Sequence, residues 1–109
     1  MFPVPMKIGG LQEILSGGVS ERAQITGGRQ QVDDGGTSVG AVVSGRGRQE
    51  VSGTTRQTVV KSGGIIDIID NGVAEQTLLD GGEMNVDFGA VSRNTTISSG
   101  RQSVYGTDT

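Results

Sequence analysis

The chain has 109 residues, enough for at most one domain, and a formal net charge of −3 with acidic and basic residues interspersed. It contains no cysteine and no histidine, which excludes a disulfide framework, a thiolate metal site and the commonest general base. The sequence has no cluster of Lys and Arg of the kind that nucleic-acid binding requires, and no stretch long and apolar enough to span a membrane.

The first ten residues, MFPVPMKIGG, contain two prolines and no apolar core of signal-peptide length. We therefore expect no signal peptide in this chain. We predict an N-terminal extension over residues 1–5 and repeats over residues 6–109. Pro3 and Pro5 cannot donate a backbone hydrogen bond, so we expect them to blunt the N-terminal edge of a sheet.

Glycines then recur at a fixed step of 18 residues. One column is Gly9, Gly27, Gly45, Gly63, Gly81 and Ser99, and another is Gly17, Gly35, Gly53, Asn71, Gly89 and Thr107. Between these positions, short runs of β-branched residues alternate with polar ones, which predicts strands and no helix. A unit this short cannot bury its own apolar face, so successive units must stack with each strand parallel to its copy. The sequence therefore predicts an all-β fold, a parallel β-solenoid (β-helix) of about six 18-residue turns.

Residues one repeat apart become neighbours in such a solenoid. The columns expected in the core are Ile14, Val32, Glu50, Ile68, Val86 and Val104, and Ile25, Val43, Lys61, Leu79 and Ile97. Glu50 and Lys61 break these columns, and we predict a register slip that buries Val51 and Val60 instead. The alternative is a charge pair between Glu50 and Lys61.

Glutamines mark a further column at Gln12, Gln30 and Gln102. Inward amides at these positions would form a ladder, each bonding to its copies above and below. The 18-residue step places Arg48, Ile66 and Met84 in the same column, which interrupts any continuous ladder. We therefore expect these glutamines to serve packing rather than binding.

The unit GGxQxVxxGGxA/SxxTxI is legible from Gly27 to Ser38 and again from Gly81 to Ile97. It resembles the strand–loop–strand repeat of the AIDA-type self-associating autotransporter adhesins of Gram-negative bacteria, over essentially the whole chain from Met6 to Thr107. The resemblance implies a right-handed β-helix passenger carried to the cell surface by a C-terminal β-barrel. It also implies roles in adhesion, cell–cell aggregation, biofilm formation and virulence.

On this interpretation the chain is a fragment of a longer passenger, located at the bacterial cell surface or outer membrane as part of a full autotransporter. Its partners would be other passengers, through self-association, or a host-surface receptor or glycan. One alternative is a fragment of a carbohydrate-acting β-helix protein, of the polysaccharide lyase or phage tail type. Another is a non-functional truncated reading frame.

Some passengers of this family carry heptoses on serines in the loops beside the glycine corners. The matching positions here are Ser16, Ser44, Ser62 and Ser98, each one or two residues ahead of a corner residue. The resemblance therefore implies a heptosyltransferase as a modifying enzyme. The alternative interpretation is that these serines are ordinary turn residues.

Acidic residues near the predicted corners and outer faces raise the question of catalysis or calcium binding. They are Asp33, Asp34, Asp67, Asp70, Asp80 and Asp87. The calcium-binding solenoid motif GGxGxD does not occur, and stacked like charges without a defined acid and base are usually a solvated face. We expect no enzymatic activity, no cofactor and no metal ion.

Overall fold

The computed structural model describes residues 10–109, which form fifteen β-strands and no helix. They build a parallel β-solenoid of about five turns, which confirms the predicted fold class. The described residues make about one turn fewer than the six predicted. The predicted extension over residues 1–5 and the edge role of Pro3 and Pro5 lie outside the described residues.

Each turn contributes three short strands, which stack on their copies to make three faces, A, B and C. Face A contains β1 (Leu11–Ile14), β4 (Arg29–Val32), β7 (Arg48–Val51), β10 (Ile65–Ile68) and the second halves of β12 (Leu78–Val86) and β14 (Thr96–Val104). Face B contains β2 (Val19–Glu21), β5 (Thr37–Val39), β8 (Thr54–Arg56), β11 (Val73–Glu75), β13 (Val91–Arg93) and β15 (Thr107–Asp108). Face C contains β3 (Gln24–Thr26), β6 (Val42–Ser44), β9 (Val59–Lys61) and the first halves of β12 and β14.

The faces meet at three rows of corners. Corner 1, between faces A and B, comprises residues 15–18, 33–36, 52–53, 69–72, 87–90 and 105–106. Corner 2, between faces B and C, comprises residues 22–23, 40–41, 57–58, 76–77 and 94–95. Corner 3 leads from face C to face A of the next turn and comprises residues 27–28, 45–47, 62–64, 80–82 and 98–100.

The register of face A follows the repeat except in the third turn. On face A, Ile14 pairs with Val32 as the 18-residue step requires. Val32 then pairs with Val51, and Val51 pairs with Ile68. The shift arises because corner 3 gains one residue at 45–47 and the following corner 1 is two residues shorter at 52–53.

This shift confirms the predicted register slip, since Val51 and Val60 are both fully buried. Glu50 instead points outward and forms an ion pair with Arg29, 3.0 Å between Nε and Oε1. Lys61 is exposed at the end of β9. The alternative of a Glu50–Lys61 charge pair is therefore wrong.

The apolar core follows the predicted interior columns once the slip is included. Its buried members are Ile14, Val32, Val51, Ile68 and Val86, Ile25, Val43, Val60 and Leu79, and Ala23, Ala41, Ile66, Ala74, Met84 and Ala90. Each large aliphatic side chain among them contributes roughly 1.5–3 kcal/mol by leaving water. Val104 and Ile97 continue two columns but stay 40% and 48% exposed, because they lie in the last described turn.

The glutamine column also differs from its prediction, for the same reason. The residue stacked between Gln30 and Ile66 is Gln49, not Arg48, because the slip advances β7 by one position. Gln49 Nε2 donates to Gln30 Oε1 at 2.6 Å, and Gln30 Nε2 donates to Gln12 Oε1 at 2.5 Å. The interruption expected at Arg48 is therefore wrong, and an amide ladder runs through three consecutive turns inside the core.

Candidate functional site

The four serines predicted as glycan acceptors lie at two different corners. Ser16 belongs to corner 1 and Ser62 to corner 3, and both are exposed. The turns that hold them are closed by backbone hydrogen bonds, Gly18 N to Leu15 O and Gly64 N to Lys61 O, both 2.8 Å. The structure therefore does not gather the serines into one site but distributes them along separate edges of the solenoid.

The other two serines have different surroundings. Ser44 ends β6, is half-buried, and its hydroxyl lies 3.3 Å from the Thr26 hydroxyl of the preceding turn. Ser98 is exposed within β14, between Ile97 and Ser99, at a shift in the β12–β14 register. Ser16, Ser62 and Ser98 are therefore open to an enzyme from solvent, whereas Ser44 is partly covered.

Glycines of the next turn leave room beside two of these serines. A Cβ on Gly35 would lie 2.5 Å from the Ser16 Oγ, and a Cβ on Gly81 would lie 3.3 Å from the Ser62 Cβ. Both glycines also have φ values, +84° and +93°, that L side chains rarely adopt. The bend of the chain and the space above each serine thus depend on the same glycines.

Corner 2 is a feature that sequence reasoning missed. Its stacked bend residues all have positive φ, although most of them are not glycine: Arg22 (58°), Gly40 (72°), Gln57 (55°), Gln76 (57°) and Asn94 (56°). Each donates its backbone N–H to the next turn, as Gln76 N does to Arg93 O at 2.9 Å. These bonds hold a conformation that costs an L-residue roughly 1–2 kcal/mol. In the sequence, only Asn94 and Gly40 of this row are residue types that commonly adopt a positive φ.

The outer side of face A carries two rows of side chains that alternate with the core residues. One row is Leu11, Arg29, Arg48, Ile65, Glu83 and Arg101, and the other is Glu13, Gln31, Glu50, Asp67, Asn85 and Ser103. Successive turns of a sheet lie roughly 4.8 Å apart, so each row presents its side chains at nearly constant spacing. The face is thus a regular array of mostly polar groups with both signs of charge, interrupted by Leu11 and Ile65.

The most ordered part of this array surrounds Asp67, whose side chain is only 10% exposed. Arg48 donates to Asp67 Oδ2 from both Nη2 and Nε, the latter at 2.7 Å, and Asn85 Nδ2 donates to Oδ1 at 2.8 Å. The hydrogen bond to Asp67 and the charge of that carboxylate raise the pKa of Arg48 above its ordinary value. Asp67 therefore holds neighbouring turns together and is not a free acid.

The remaining acidic residues do not assemble into a metal centre. Asp33, Asp34, Asp70 and Asp87 lie in the corner 1 row and Asp80 lies in corner 3, and of these Asp70 and Asp87 line one cleft. Within residues 10–109, no group of three or more Asp or Glu side chains is close enough to hold a metal ion. The same part of the chain offers no helical stretch of the length and hydrophobicity that a membrane crossing requires.

These features define a class of protein: a parallel β-solenoid whose chemistry lies on its outer faces and corners. Among solved structures, the chain is similar to a hyper-glycosylated TibA fragment whose glycosylation was catalysed by TibC, with a TM-score of 0.78 and 23% sequence identity. The similarity covers 98% of this chain and 48% of that fragment, so the chain spans about half the fragment's length. No family model and no curated protein matches the sequence. The likeness establishes a shared fold.

Proposed function

We propose that the chain is a segment of a bacterial surface autotransporter adhesin passenger, which mediates adhesion and cell–cell aggregation without catalysing a reaction. The observation that carries this proposal is the regular outer array of polar and charged side chains, repeated on each turn of a rigid solenoid. The resemblance of the repeat to AIDA-type passengers and the similarity to a TibA fragment both support it.

The proposed mechanism is multivalent. A partly exposed ion pair such as Arg29–Glu50, with 3.0 Å between Nε and Oε1, is worth only about 0.2–1 kcal/mol by itself. Rows of such groups at fixed spacing engage a second rod or a host surface together, so many weak contacts add up without the entropic cost of ordering each one separately. Adhesion by this mechanism weakens as salt screens the charges.

Cell settling tests this proposal. The whole chain is displayed on a bacterium that does not aggregate, and settling is measured at low and high salt. We expect settling that declines with salt, and a slower rate for Arg29→Glu, which places like charges beside Glu50 in the face A array. The combined Arg29→Glu and Glu50→Arg variant is the control, because it keeps the ion pair and the net charge of the unmodified chain. Cells that stay suspended, or a purified chain that cleaves polysaccharides, would contradict the adhesin assignment.

We further propose that corner serines accept heptose from a glycosyltransferase. The exposure of Ser16, Ser62 and Ser98, and the structural similarity to a hyper-glycosylated fragment, support this second step. The chain is co-expressed with a heptosyltransferase, and attached heptoses are counted by intact mass. Ser16→Ala, Ser62→Ala and Ser98→Ala should each remove a fraction of the modification, whereas Ser44→Ala should leave it unchanged. Equal loss at Ser44 would show that exposure does not select the acceptor.

A further inference from the structure

Two aromatic side chains meet on the outside of corner 1. Phe88 is 82% exposed and Tyr105 is 65% exposed, and their ring centroids are 6.3 Å apart with the planes tilted by 41°. The chain has only three aromatic residues, so two of the three are placed side by side in water. Neither ring contributes to the buried core, and contiguous exposed apolar surface of this kind commonly marks a binding site.

The rings form part of a shallow cleft of about 480 Å³ that is also lined by Ile69, Asp70 and Asp87. Both carboxylates are exposed, and the three ion pairs within residues 10–109 involve other acids. Asp70 Oδ2 accepts only a long hydrogen bond, 3.4 Å, from the Ser52 hydroxyl. The cleft therefore combines two π faces with two negative charges that no described cation neutralises.

The chemistry of the lining selects among ligand classes. Aromatic faces and carboxylates both attract a cation, and cages of this composition bind quaternary ammonium groups. Anionic ligands are repelled by Asp70 and Asp87, and by Asp33 and Asp34 along the same row of corners. A neutral sugar could donate its hydroxyls to Asp70 and Asp87, but only the Tyr105 hydroxyl could donate to its oxygens, and a neutral ligand would leave both negative charges uncompensated.

We propose that this cleft binds a small quaternary ammonium group. The methyl groups of the ligand would pack against Phe88 and Tyr105 while its charge faces Asp70 and Asp87. Because the cleft is open and both rings are largely solvated, the dissociation constant falls in the millimolar range. The proposal is independent of the adhesin assignment, since it depends only on the composition of the cleft.

The fluorescence of Tyr105 can report binding at the cleft directly, because the chain has one tyrosine and no tryptophan. The whole chain is titrated with tetramethylammonium chloride while tyrosine fluorescence is recorded, and sodium chloride at matched ionic strength is the reference. We expect a saturable change with the ammonium salt alone. Phe88→Leu and Asp87→Asn should each weaken binding about three- to fivefold. Asp80→Asn is the matched control, since it removes an exposed carboxylate from corner 3 and should leave the affinity unchanged.

Competition distinguishes the sources of the group. Choline should compete with tetramethylammonium, and phosphocholine should compete less well because its phosphate faces the carboxylates. A non-saturable response, or equal weakening by Asp80→Asn and Asp87→Asn, would overturn the site and leave only general charge screening. Displacement by neutral hexoses in place of choline would overturn the ligand class and identify a sugar site.

Discussion

Replacing Gln30 by methionine tests whether the buried amide ladder stabilises the solenoid. Gln30 is fully buried at the centre of the ladder. Its Nε2 donates to Gln12 and to the Ser20 hydroxyl at 3.2 Å, and its Oε1 accepts from Gln49 and from the Ser38 hydroxyl at 3.0 Å. Methionine has a similar length and no amide, so the core stays filled while these bonds are lost.

The expected loss follows from the groups left behind. A buried polar group without a partner costs about 1–3 kcal/mol, and Ser20 and Ser38 can still bond to Gln12 and Gln49 respectively. The mutation therefore removes four hydrogen bonds, each worth about 0.5–1.5 kcal/mol, and with the partial offset from the more apolar side chain we expect a destabilisation of about 2–4 kcal/mol. Met84 occupies the equivalent position two turns beyond Gln49 without such a penalty, because the column there is already apolar at Ile66.

Urea unfolding followed by far-UV circular dichroism measures this difference as a change in the free energy of unfolding. Gln31→Met is the matched control, since Gln31 is the next residue and points outward from face A. Adding Ser38→Ala to Gln30→Met should deepen the loss, because the Ser38 hydroxyl is the partner that Gln49 Nε2 keeps once Gln30 is gone. If Gln30→Met and Gln31→Met unfold at the same urea concentration, the ladder contributes no net stability and the reasoning fails.

Three pairs of substitutions test the slip and the corners by the same unfolding measurement. Val51→Ala should cost about 2 kcal/mol and Glu50→Ala less than about 1 kcal/mol; the reverse order would contradict the slipped register. Gly47→Ala should prevent stable folding because its Cβ would lie 2.0 Å from Ile25 O, whereas Gly17→Ala, with nothing within 4 Å, should cost only about 1–2 kcal/mol for its positive φ. Gln76→Gly should be neutral or stabilising, and Gln76→Val should destabilise the fold by about 1–2 kcal/mol, because residue 76 has a positive φ. Equal stability of the two variants would contradict a positive φ at corner 2.

The repeat made the three faces and the glycine corners predictable, but it did not predict the row of bends at corner 2. Columns such as Ile14–Val32 and Ile25–Val43 follow from the period, because stacking leaves only one way to bury β-branched residues a fixed step apart. Corner 2 gave little signal, since its bend is held by backbone hydrogen bonds to the next turn rather than by a glycine column. The period does not predict the Phe88–Tyr105 contact, because the two residues are not a full repeat apart.

That contact and the misplaced glutamine column have one physical cause. Strand register is costly to change, because a shift of one residue would turn every inward side chain outward. Corners project into water, so a residue gained or lost there costs little. Differences in the length of a repeat therefore occur at the corners and not within the strands. The shorter corners at 52–53 and 105–106 show this, since Gly53 N and Gly106 N each bond to a face A carbonyl one turn back, Val32 O and Val86 O, both at 3.0 Å. A period counted across corners is therefore an average, and only the alternation within each strand gives the register of that strand.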